Sequence, residues 1–435
     1  MTKVSEVWPI LEQYVLADGM PIVCDLSKSH GSYLYDAKTN TEFLDFFGFF
    51  AARPVGFNHP GLHDAAFSAR LDEVSRHKLA NCDVYTTHYA RFVKNFCETA
   101  LQGAFKHLFL IEGGGPAVEN ALKTAFDWKH RKNIAAGRGD KGNQILYFSR
   151  AFHGRTGYAL SITDPFDRRK VDYFPRFKWP KVEAPRMGFP FDDAAKRDVE
   201  QREKQALAEI HRVLDEANHE IAAIIIEPIQ GEGGDNYFRS EFLRALRMIC
   251  DEREVILIFD EIQTGFGATG RWWDWMNHDV KPDLMVFGKK TQVCGFAATD
   301  RIDDVDSVFK IPSRISSTFG GDLVDMVRCD RVIDIVVEER LLDNAATMGA
   351  YLVDVLGELA DEHAQITGVR GRGLWTAFDM PSIDERNRLI DACFELKLLI
   401  LPCGERSIRL RPALDVTADA VGRAGAQLDA ALGHM

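Results

Sequence analysis

The sequence lacks several patterns that define common classes of protein. None of its eight cysteines forms a C-x-x-C pair, so neither a zinc site nor a dithiol redox site is predicted, and no metal is expected. Their scattered positions are typical of reduced thiols rather than of a disulfide framework. The formal net charge of -12 argues against nucleic acid or an anionic membrane as the main partner.

Long hydrophobic runs are also missing. The apolar stretch "IAAIIIEPI" (221–229) is stopped by Glu227 and Pro228 and is too short to span a membrane. The first residues, "MTKVSEVWPILEQYVLADG", lack the apolar core of a signal peptide. Hydrophobic residues make up 46% and charged residues 27% of the 435 residues, which is the balance of a globular protein. We therefore expect a soluble, cytoplasmic protein.

Short apolar runs alternate with amphipathic stretches through the middle of the chain. This alternation predicts an α/β fold with a mostly parallel sheet covered by helices on both faces. Such sheets bind their ligands at the carboxyl ends of the strands. The predicted strands are 107–114, 144–149, 222–228, 255–261 and 284–288, and the predicted helices are 116–131, 199–217 and 239–252.

The two ends of the chain have a different pattern. A long helical segment (323–362) precedes two strand-like stretches, "GVRGRGLWTAFDM" and "LLILPCGERSIRLRPAL". The N-terminal stretch "GSYLYDAKTNTEFLDFF" also contains strand signals. We predict an N-terminal segment (1–60) that joins a smaller domain, a large domain (61–325) and a C-terminal small domain (326–435).

A glycine-rich turn follows the first predicted strand. In "EGGGPAVENALKTAFDWK" (112–129), three glycines come after the strand and Pro116 opens a helix. Backbone N–H groups of Gly114 and Gly115 could bind a phosphate at the helix N-terminus. The alternative is a tight strand-to-helix turn, and the spacing matches neither G-x-G-x-x-G nor the P-loop.

Charged residues follow two further predicted strands. Asp260 ends the apolar run of "IFDEIQTGFG" (258–267), where an ionised carboxylate needs a partner; the alternative is a capping aspartate. Lys289 and Lys290 follow the last run, and neighbours on a strand face opposite sides, so they cannot share one role. A buried lysine beside a carboxylate and a phosphate can form a Schiff base once desolvation lowers its pKa. A surface lysine is the alternative.

Two motifs contribute arginines. "AFHGRTGY" (151–158) places Phe152 near Arg155, with a core phenylalanine and a surface arginine as the alternative. "SIRLRPAL" (407–414) places Arg409 two residues before a second arginine, for which a solvated strand edge is the alternative. Each pattern is weak alone. Their order at the carboxyl ends of one sheet favours a single site: anion cup, aromatic ring, carboxylate, lysine.

That order resembles the pyridoxal 5′-phosphate (PLP) enzymes of fold type I. The motifs "AFDWK", "AFHGR", "EPIQGEGGD", "FDEIQTG" and "FGKKTQVCG" resemble those of the class III (ornithine/ω-) aminotransferases, and the resemblance covers nearly the whole chain. It implies a large domain with a mostly parallel seven-stranded sheet and a smaller α+β domain built from both termini. It also implies a homodimer with shared active sites.

The resemblance implies roles around the cofactor. Lys289 would bond to the aldehyde of PLP and move the proton, while Lys290 points away. Asp260 would pair with the pyridinium nitrogen. The cofactor-binding residues implied are Gly114, Gly115, Phe152, Glu227, Asp260, Gln263, Lys289 and Thr318, of which Thr318 would come from the other subunit.

The resemblance also implies the reaction. The ε-amino group of L-lysine, or a similar ω-amine, would pass to 2-oxoglutarate and give glutamate and a semialdehyde that cyclises. Arg155 and Arg409 would bind carboxylates. Glu232 would pair with Arg409 while lysine is bound and swing aside for 2-oxoglutarate. Phe50 would contact the substrate, and it stands with Arg53 where this family usually has smaller residues.

Other interpretations remain open at this stage. One is a fold type I PLP enzyme with a different amine donor, or one that decarboxylates, rearranges or forms carbon–carbon bonds. The pairing of Glu232 with Arg409 favours a transaminase with two substrates. A nicotinamide oxidoreductase is disfavoured because its glycine fingerprint is missing. Intact Lys289 and Asp260 argue against a non-catalytic binding protein.

Overall fold

A computed structural model describes residues 2–435 of the chain. Its strands are β1 (Tyr33–Asp36), β2 (Thr41–Asp45), β3 (His107–Ile111), β4 (Gln144–Phe148), β5 (Lys181–Val182), β6 (Ile221–Ile226), β7 (Ile229–Gln230), β8 (Asn236–Tyr237), β9 (Ile256–Asp260), β10 (Leu284–Phe287), β11 (Cys294–Ala298), β12 (Thr367–Arg372), β13 (Trp375–Asp379), β14 (Leu398–Leu399), β15 (Leu401–Cys403) and β16 (Ser407–Leu410).

The helices include several long amphipathic ones and some single turns. They are α1 (Val7–Tyr14), α2 (Gly48–Ala51), α3 (Ala65–Ser75), α4 (Thr87–Asn95), α5 (Gly114–Ala135), α6 (Gly157–Ser161), α7 (Asp193–Glu216), α8 (Ser240–Glu252), α9 (Trp275–His278), α10 (Leu323–Glu338), α11 (Leu341–Glu362), α12 (Ile383–Glu395) and α13 (Ala418–Gly433). Short 3₁₀ turns occur at Val4–Glu6, Pro60–His63, Arg168–Lys170, Lys289–Thr291 and Asp300–Asp304, and a π-helical turn at Phe96–Ala100.

A seven-stranded sheet lies at the centre of the molecule, in the order β3-β11-β10-β9-β6-β4-β5. The pairs from β10 to β5 are parallel, and β11 is antiparallel to both of its neighbours. The sheet confirms the predicted mostly parallel architecture, and the five predicted strands correspond to β3, β4, β6, β9 and β10.

Both faces of the sheet are covered, which explains why its strands are continuous apolar runs. Ile225 and Ile258 pack in one core cluster with residues of α5. Their neighbours Ile224 and Leu257 pack in another with residues of α7 and α8. Fully burying each such side chain contributes about 1.5–3 kcal/mol. The sheet is thereby held rigidly between two helical layers, and its strand ends have fixed positions.

The two termini meet in smaller sheets. β12, β13, β16 and β15 form an antiparallel sheet, and β14 pairs in parallel with β2. The pairing of Leu398 with Leu44 joins the N-terminal and C-terminal segments, as the fold type implies. The predicted helical segment 323–362 consists of α10 and α11, which are separated where Arg340 has a positive φ of 53°. The domain boundaries at 60 and 325 stay predictions.

The helices from residue 2 to residue 435 include none that is long and apolar enough to cross a membrane. All eight cysteines are unpaired, in agreement with the absence of a disulfide pattern in the sequence.

Candidate active site

A cavity of about 170 Å³ lies where five strands of the central sheet end. Seven of the residues predicted from the sequence line it: Gly114, Gly115, Phe152, Glu227, Asp260, Gln263 and Lys289. His153, Ile262 and Cys294 also line it and were not predicted. The carboxyl ends of parallel strands converge at one edge of the sheet, so residues distant in sequence meet there.

One wall of the cavity is the N-terminus of α5. The chain turns from β3 into the helix through Gly113, whose φ is 93°. A Cβ atom on Gly114 would lie 3.1 Å from Ile262 Cδ1, and one on Gly115 would lie 3.0 Å from Thr156 Oγ1. These contacts favour glycine at both positions. The first N–H groups of a helix have no intrahelical acceptor, so this wall suits a phosphate.

Asp260 ends β9 and is fixed from two sides. His153 Nδ1 lies 2.8 Å from Asp260 Oδ2, and the Ile262 N–H donates to Asp260 Oδ1 at 3.1 Å. Both side chains are buried, and among residues 2–435 nothing pairs with His153 Nε2. Sequence reasoning missed His153, although a histidine beside Phe152, in the segment that follows a predicted strand, was a signal for it.

Lys289 reaches the cavity from a 3₁₀ turn rather than from a strand. β10 ends at Phe287, and Lys289 has a positive φ of 56°. The strand-alternation argument for separating the two lysines was therefore wrong, since the turn itself separates them. Burial lowers the pKa of Lys289 to about 7, and the positive charge of Arg409 contributes in the same direction. The amine is consequently available in its neutral form near neutral pH.

Lys290 points away from the cavity, as predicted, but does not reach solvent. Its side chain is buried, and its Nζ donates to the Ala51 carbonyl oxygen at 2.9 Å. Gln292 Nε2 donates to the next carbonyl, Ala52, at 3.1 Å. Burial lowers the pKa of Lys290 to about 7. Lys290 and Gln292 thus tie the turn that carries Lys289 to α2.

Glu227 lines the cavity and holds two backbone groups next to it. Its carboxylate accepts the Phe152 N–H at 2.9 Å and the Gly231 N–H at 3.2 Å. Burial raises the pKa of Glu227 to about 7, and the negative charge of Asp260 adds to the rise. The prediction placed Glu227 among the cofactor-binding residues, and the structure gives it backbone partners that position Phe152 and the following loop.

A second group of charges, which we call the substrate corner, consists of Lys170, Glu232 and Arg409. Arg409 Nη2 donates to Glu232 Oε2 at 3.0 Å, and Lys170 Nζ donates to Glu232 Oε1. Arg409 is 2% exposed, so the solvated strand edge is excluded. Within the described part of the chain its Nε and Nη1 have no acceptor. Lys170 was not predicted, because no local pattern in the sequence connects it with Glu232.

The loop that carries Glu232 is tightly packed. A Cβ atom on Gly231 would lie 2.7 Å from Gln263 Oε1, and one on Gly233 would lie 2.4 Å from the Arg150 carbonyl oxygen. These glycines permit close approach of neighbouring groups. A change of partner by Glu232 would therefore be a side-chain rotation.

Of the two unusual residues Phe50 and Arg53, only Phe50 contacts the substrate corner. Phe50 lies in α2, a single turn of left-handed backbone in which its φ is 58°. Its ring centroid is 5.8 Å from the Arg409 guanidinium. The Arg53 guanidinium instead stacks 3.2 Å from the Phe57 ring centroid and lies 3.4 Å from Asp45. Arg53 thus contacts residues of its own N-terminal segment. Of these two residues, Phe50 is the one that faces Arg409.

Two further predicted residues, Arg155 and Thr318, neither line the cavity nor contact the substrate corner. Arg155 is exposed, with its guanidinium 5.8 Å from the Phe152 ring centroid. Thr318 is exposed in the segment before α10. Their predicted contacts with substrate and with the neighbouring subunit stay predictions.

Comparison with known proteins identifies the family. The family model for aminotransferase class-III matches residues 14–432. The chain belongs to the class III aminotransferases. The L-lysine-epsilon aminotransferase of Mycobacterium tuberculosis is 44% identical over 99% of this chain and 96% of its own length. That of Amycolatopsis lactamdurans is 43% identical, with 95% and 92% covered.

A solved structure of lysine aminotransferase from M. tuberculosis matches with a TM-score of 0.97 at 43% identity, covering 100% of both chains. The predicted family and fold type I are thereby confirmed, and so is a PLP-dependent transaminase.

The cavity of this class III aminotransferase fits PLP, the cofactor of the family. The N-terminus of α5 is free of side chains at Gly114 and Gly115, as a phosphate requires. Gln263 Oε1 is buried without a partner among residues 2–435, and a ring hydroxyl could donate to it. Asp260 supplies a buried carboxylate for a protonated ring nitrogen. When bound, PLP supplies an electron sink for the carbon that loses its proton.

Proposed function

We propose that the enzyme transfers the ε-amino group of L-lysine to 2-oxoglutarate. The products are glutamate and the 6-semialdehyde of 2-aminoadipic acid. The semialdehyde then cyclises, because its own α-amino group condenses with the aldehyde and releases water. The lysine-specific names of the two relatives, both more than 40% identical, support this donor.

The pairing of Arg409 with Glu232 is the observation that carries the proposal. Arg409 is buried, and two of its nitrogen atoms, Nε and Nη1, have no acceptor within the described residues. Lysine presents an ε-carbon with no carboxylate beside it, whereas 2-oxoglutarate brings a carboxylate next to its keto carbon. A Glu232-paired Arg409 suits lysine, and a released Arg409 suits the planar carboxylate of 2-oxoglutarate. One pocket can thus accept both substrates.

The remaining residues have distinct tasks in this proposal. Burial lowers the pKa of Lys289 to about 7. Its neutral amine accepts a proton from the carbon that bears the transferred nitrogen and then donates that proton to the cofactor. Asp260, fixed by His153, stabilises the positive charge of the cofactor ring. Arg155 binds the distal carboxylate of either substrate.

The assembly belongs to the same proposal. We infer a homodimer in which Thr318 contributes to the phosphate site of the partner subunit. Its support is that Thr318 is exposed and lies outside the cavity of its own chain. A cytoplasmic location is supported by the eight unpaired cysteines.

A second donor is favoured by one specific observation. Phe50 places a large ring 5.8 Å from the Arg409 guanidinium, where the family resemblance of the sequence implies a smaller residue. A narrower corner would suit an ω-amine that differs from lysine near its reacting carbon. The class of reaction and the acceptor would stay the same.

The test is a panel of amine donors with 2-oxoglutarate and PLP-loaded enzyme. L-Lysine, L-ornithine, 4-aminobutyrate and cadaverine are compared by glutamate formation, and the cyclised product is trapped with 2-aminobenzaldehyde. We expect the largest kcat/KM with L-lysine. A higher value with another donor would replace lysine, and the lack of glutamate with every donor would overturn the transamination itself.

A further inference from the structure

Lys170 stands at the edge of the substrate corner, on a turn that is held in place. The 3₁₀ turn Arg168–Lys170 begins after Asp167, whose Oδ1 accepts the Arg169 N–H at 3.1 Å. The next residue, Val171, is completely buried and anchors the turn in the core. The Lys170 side chain is 23% exposed and its partner Glu232 is 21% exposed. The position of the lysine is therefore set by its backbone, not only by the ion pair.

Glu232 bridges two cations, one on each oxygen. Lys170 binds Oε1, and Arg409 binds Oε2. From residue 2 to residue 435, these are the only side chains that pair with the Glu232 carboxylate. While Glu232 contacts both, they share one negative charge, so each contributes less than it would alone.

Releasing Arg409 changes this balance. A carboxylate that leaves its partner in a mostly buried site is costly unless another cation or hydrogen bond compensates. The glycines on either side of Glu232 lie close to Gln263 and Arg150, so the backbone of this loop has little room to move. Lys170 already holds the oxygen that does not contact Arg409, so Glu232 can rotate away from Arg409 without losing every partner.

We propose that Lys170 is a positioning residue that keeps Glu232 ion-paired while Arg409 is released to a substrate carboxylate. The inference rests on the proposed exchange between lysine and 2-oxoglutarate and deepens it. Lys170 contacts Glu232 in both arrangements but is its sole cationic partner only when Arg409 is released. It therefore stabilises the released arrangement more, and it favours the half-reaction with glutamate or 2-oxoglutarate over that with lysine.

The kinetic test compares the two half-reactions in variants of the PLP-loaded enzyme. Lys170→Met keeps the length of the side chain and removes its charge, Lys170→Gln removes the charge in a second way, and Lys170→Arg restores it. We expect Met and Gln to slow the glutamate half-reaction by about tenfold and the lysine half-reaction by less than about twofold. Arg should restore the wild-type ratio.

The matched control is Arg169→Gln. Arg169 lies on the same turn, is exposed and pairs with Asp167 rather than with Glu232. It removes the same charge from the surface, so both half-reactions should stay unchanged. An equal loss in both half-reactions for Met and Gln, or the same selective loss for Arg169→Gln, would overturn the role of Lys170.

A binding measurement supplies a readout that does not depend on turnover. Glutarate carries the two carboxylates of 2-oxoglutarate but has no keto group, so it binds without reacting. Calorimetric titration should give a Kd that is about tenfold weaker for Lys170→Met and close to wild type for Lys170→Arg. Unchanged glutarate affinity in both Lys170→Met and Lys170→Gln would contradict the proposal.

A double mutant connects the effect to Glu232. In a Glu232→Gln background there is no carboxylate to hold, so adding Lys170→Met should change the ratio of the half-reactions by less than about twofold. A full tenfold effect in that background would show that Lys170 acts elsewhere. Failure of the proposed function is recognised separately, because the wild-type enzyme would then fail to react with lysine or with glutamate.

Discussion

The cofactor cavity and the substrate corner are built in different ways. The cavity takes its residues from the ends of strands in one sheet that helices cover on both faces. The corner joins Lys170 to Glu232 across 62 residues, and Glu232 to Arg409 across 177. The cavity is thus a fixed frame, whereas the corner is a small network of side-chain ion pairs. A cofactor that stays bound suits the first, and two unlike substrates require the second.

The cavity and the substrate corner also differ in their electrostatics. In the cavity, burial brings the pKa of Lys289 and of Glu227 to about 7, so the Lys289 amine can accept and release a proton near neutral pH. In the corner, burial alone would raise the pKa of Glu232, but Arg409 and Lys170 outweigh it and hold that pKa below its usual value. The corner therefore stays ionised, as the proposed exchange of partners requires.

Removing the lysine of the cavity should cause the largest loss of activity. Lys289→Ala should lose the visible absorption of covalently bound PLP and slow transamination by about a thousandfold or more, since both the bond and the proton carrier are lost. Lys290→Ala is the matched control and should keep the absorption band, because Lys290 contacts Ala51 rather than the cavity. The opposite pattern would assign the bond to Lys290.

A smaller effect is expected at the far side of the cavity. Asp260→Asn should still bind PLP but lose about a hundredfold to a thousandfold in kcat/KM, or roughly 3–4 kcal/mol, because the ring nitrogen loses its anionic partner. His153→Gln leaves the charge of Asp260 and should lose less. If Asp260→Asn stayed within about tenfold of wild type, Asp260 would have no place in the mechanism.

The corner should respond selectively where the cavity responds uniformly. Glu232→Ala leaves Arg409 buried without a carboxylate, so the lysine half-reaction should slow by about tenfold while the glutamate half-reaction changes little. Stopped-flow measurement of each half-reaction separates the two. Equal losses would make Glu232 a structural residue. Lys170→Met should instead slow the glutamate half-reaction more than the lysine half-reaction. The two corner variants should thus have opposite selectivity, whereas variants in the cavity should slow both half-reactions.

The cavity could largely be predicted from the sequence, because its residues follow apolar runs that are visible as strands. Once the strands are parallel, their ends converge, and Gly114, Asp260 and Lys289 must lie together. Lys289 lies in the cavity, but the turn after β10, and not strand alternation, separates it from Lys290.

The corner could be predicted only in part. Arg409 and Glu232 came from the family resemblance, and Lys170 was missed altogether. Its contact depends on how an irregular segment between α6 and β5 packs against the β7–β8 loop, and no local propensity encodes that packing. The packing of the glycines around Glu232 could not be predicted either, because their close contacts with Gln263 and Arg150 exist only in the folded chain.

The smallest predicted effect concerns the stability of the link between the cavity and α2. Lys290 is buried and has a pKa of about 7, lowered from 10.5. Between these values the unfolded chain binds a proton that the folded chain releases, so this lysine makes the protein less stable as the pH falls from about 10 to about 7. Below that range its contribution no longer changes. Lys290→Met removes the proton and with it this dependence.

The free energy of unfolding of Lys290→Met, relative to that of wild type, should therefore be higher near neutral pH than in alkali. At about pH 9.5 the variant loses the hydrogen bond to Ala51 and should be less stable by about 1 kcal/mol. Near pH 7 the folded wild-type protein also carries the cost of releasing the lysine proton, which the variant does not, so the difference should shrink and change sign. Urea unfolding of the PLP-free protein at both pH values measures it, with the exposed Lys123→Met as the control. A difference that is the same at both pH values would mean that Lys290 titrates like a solvated lysine.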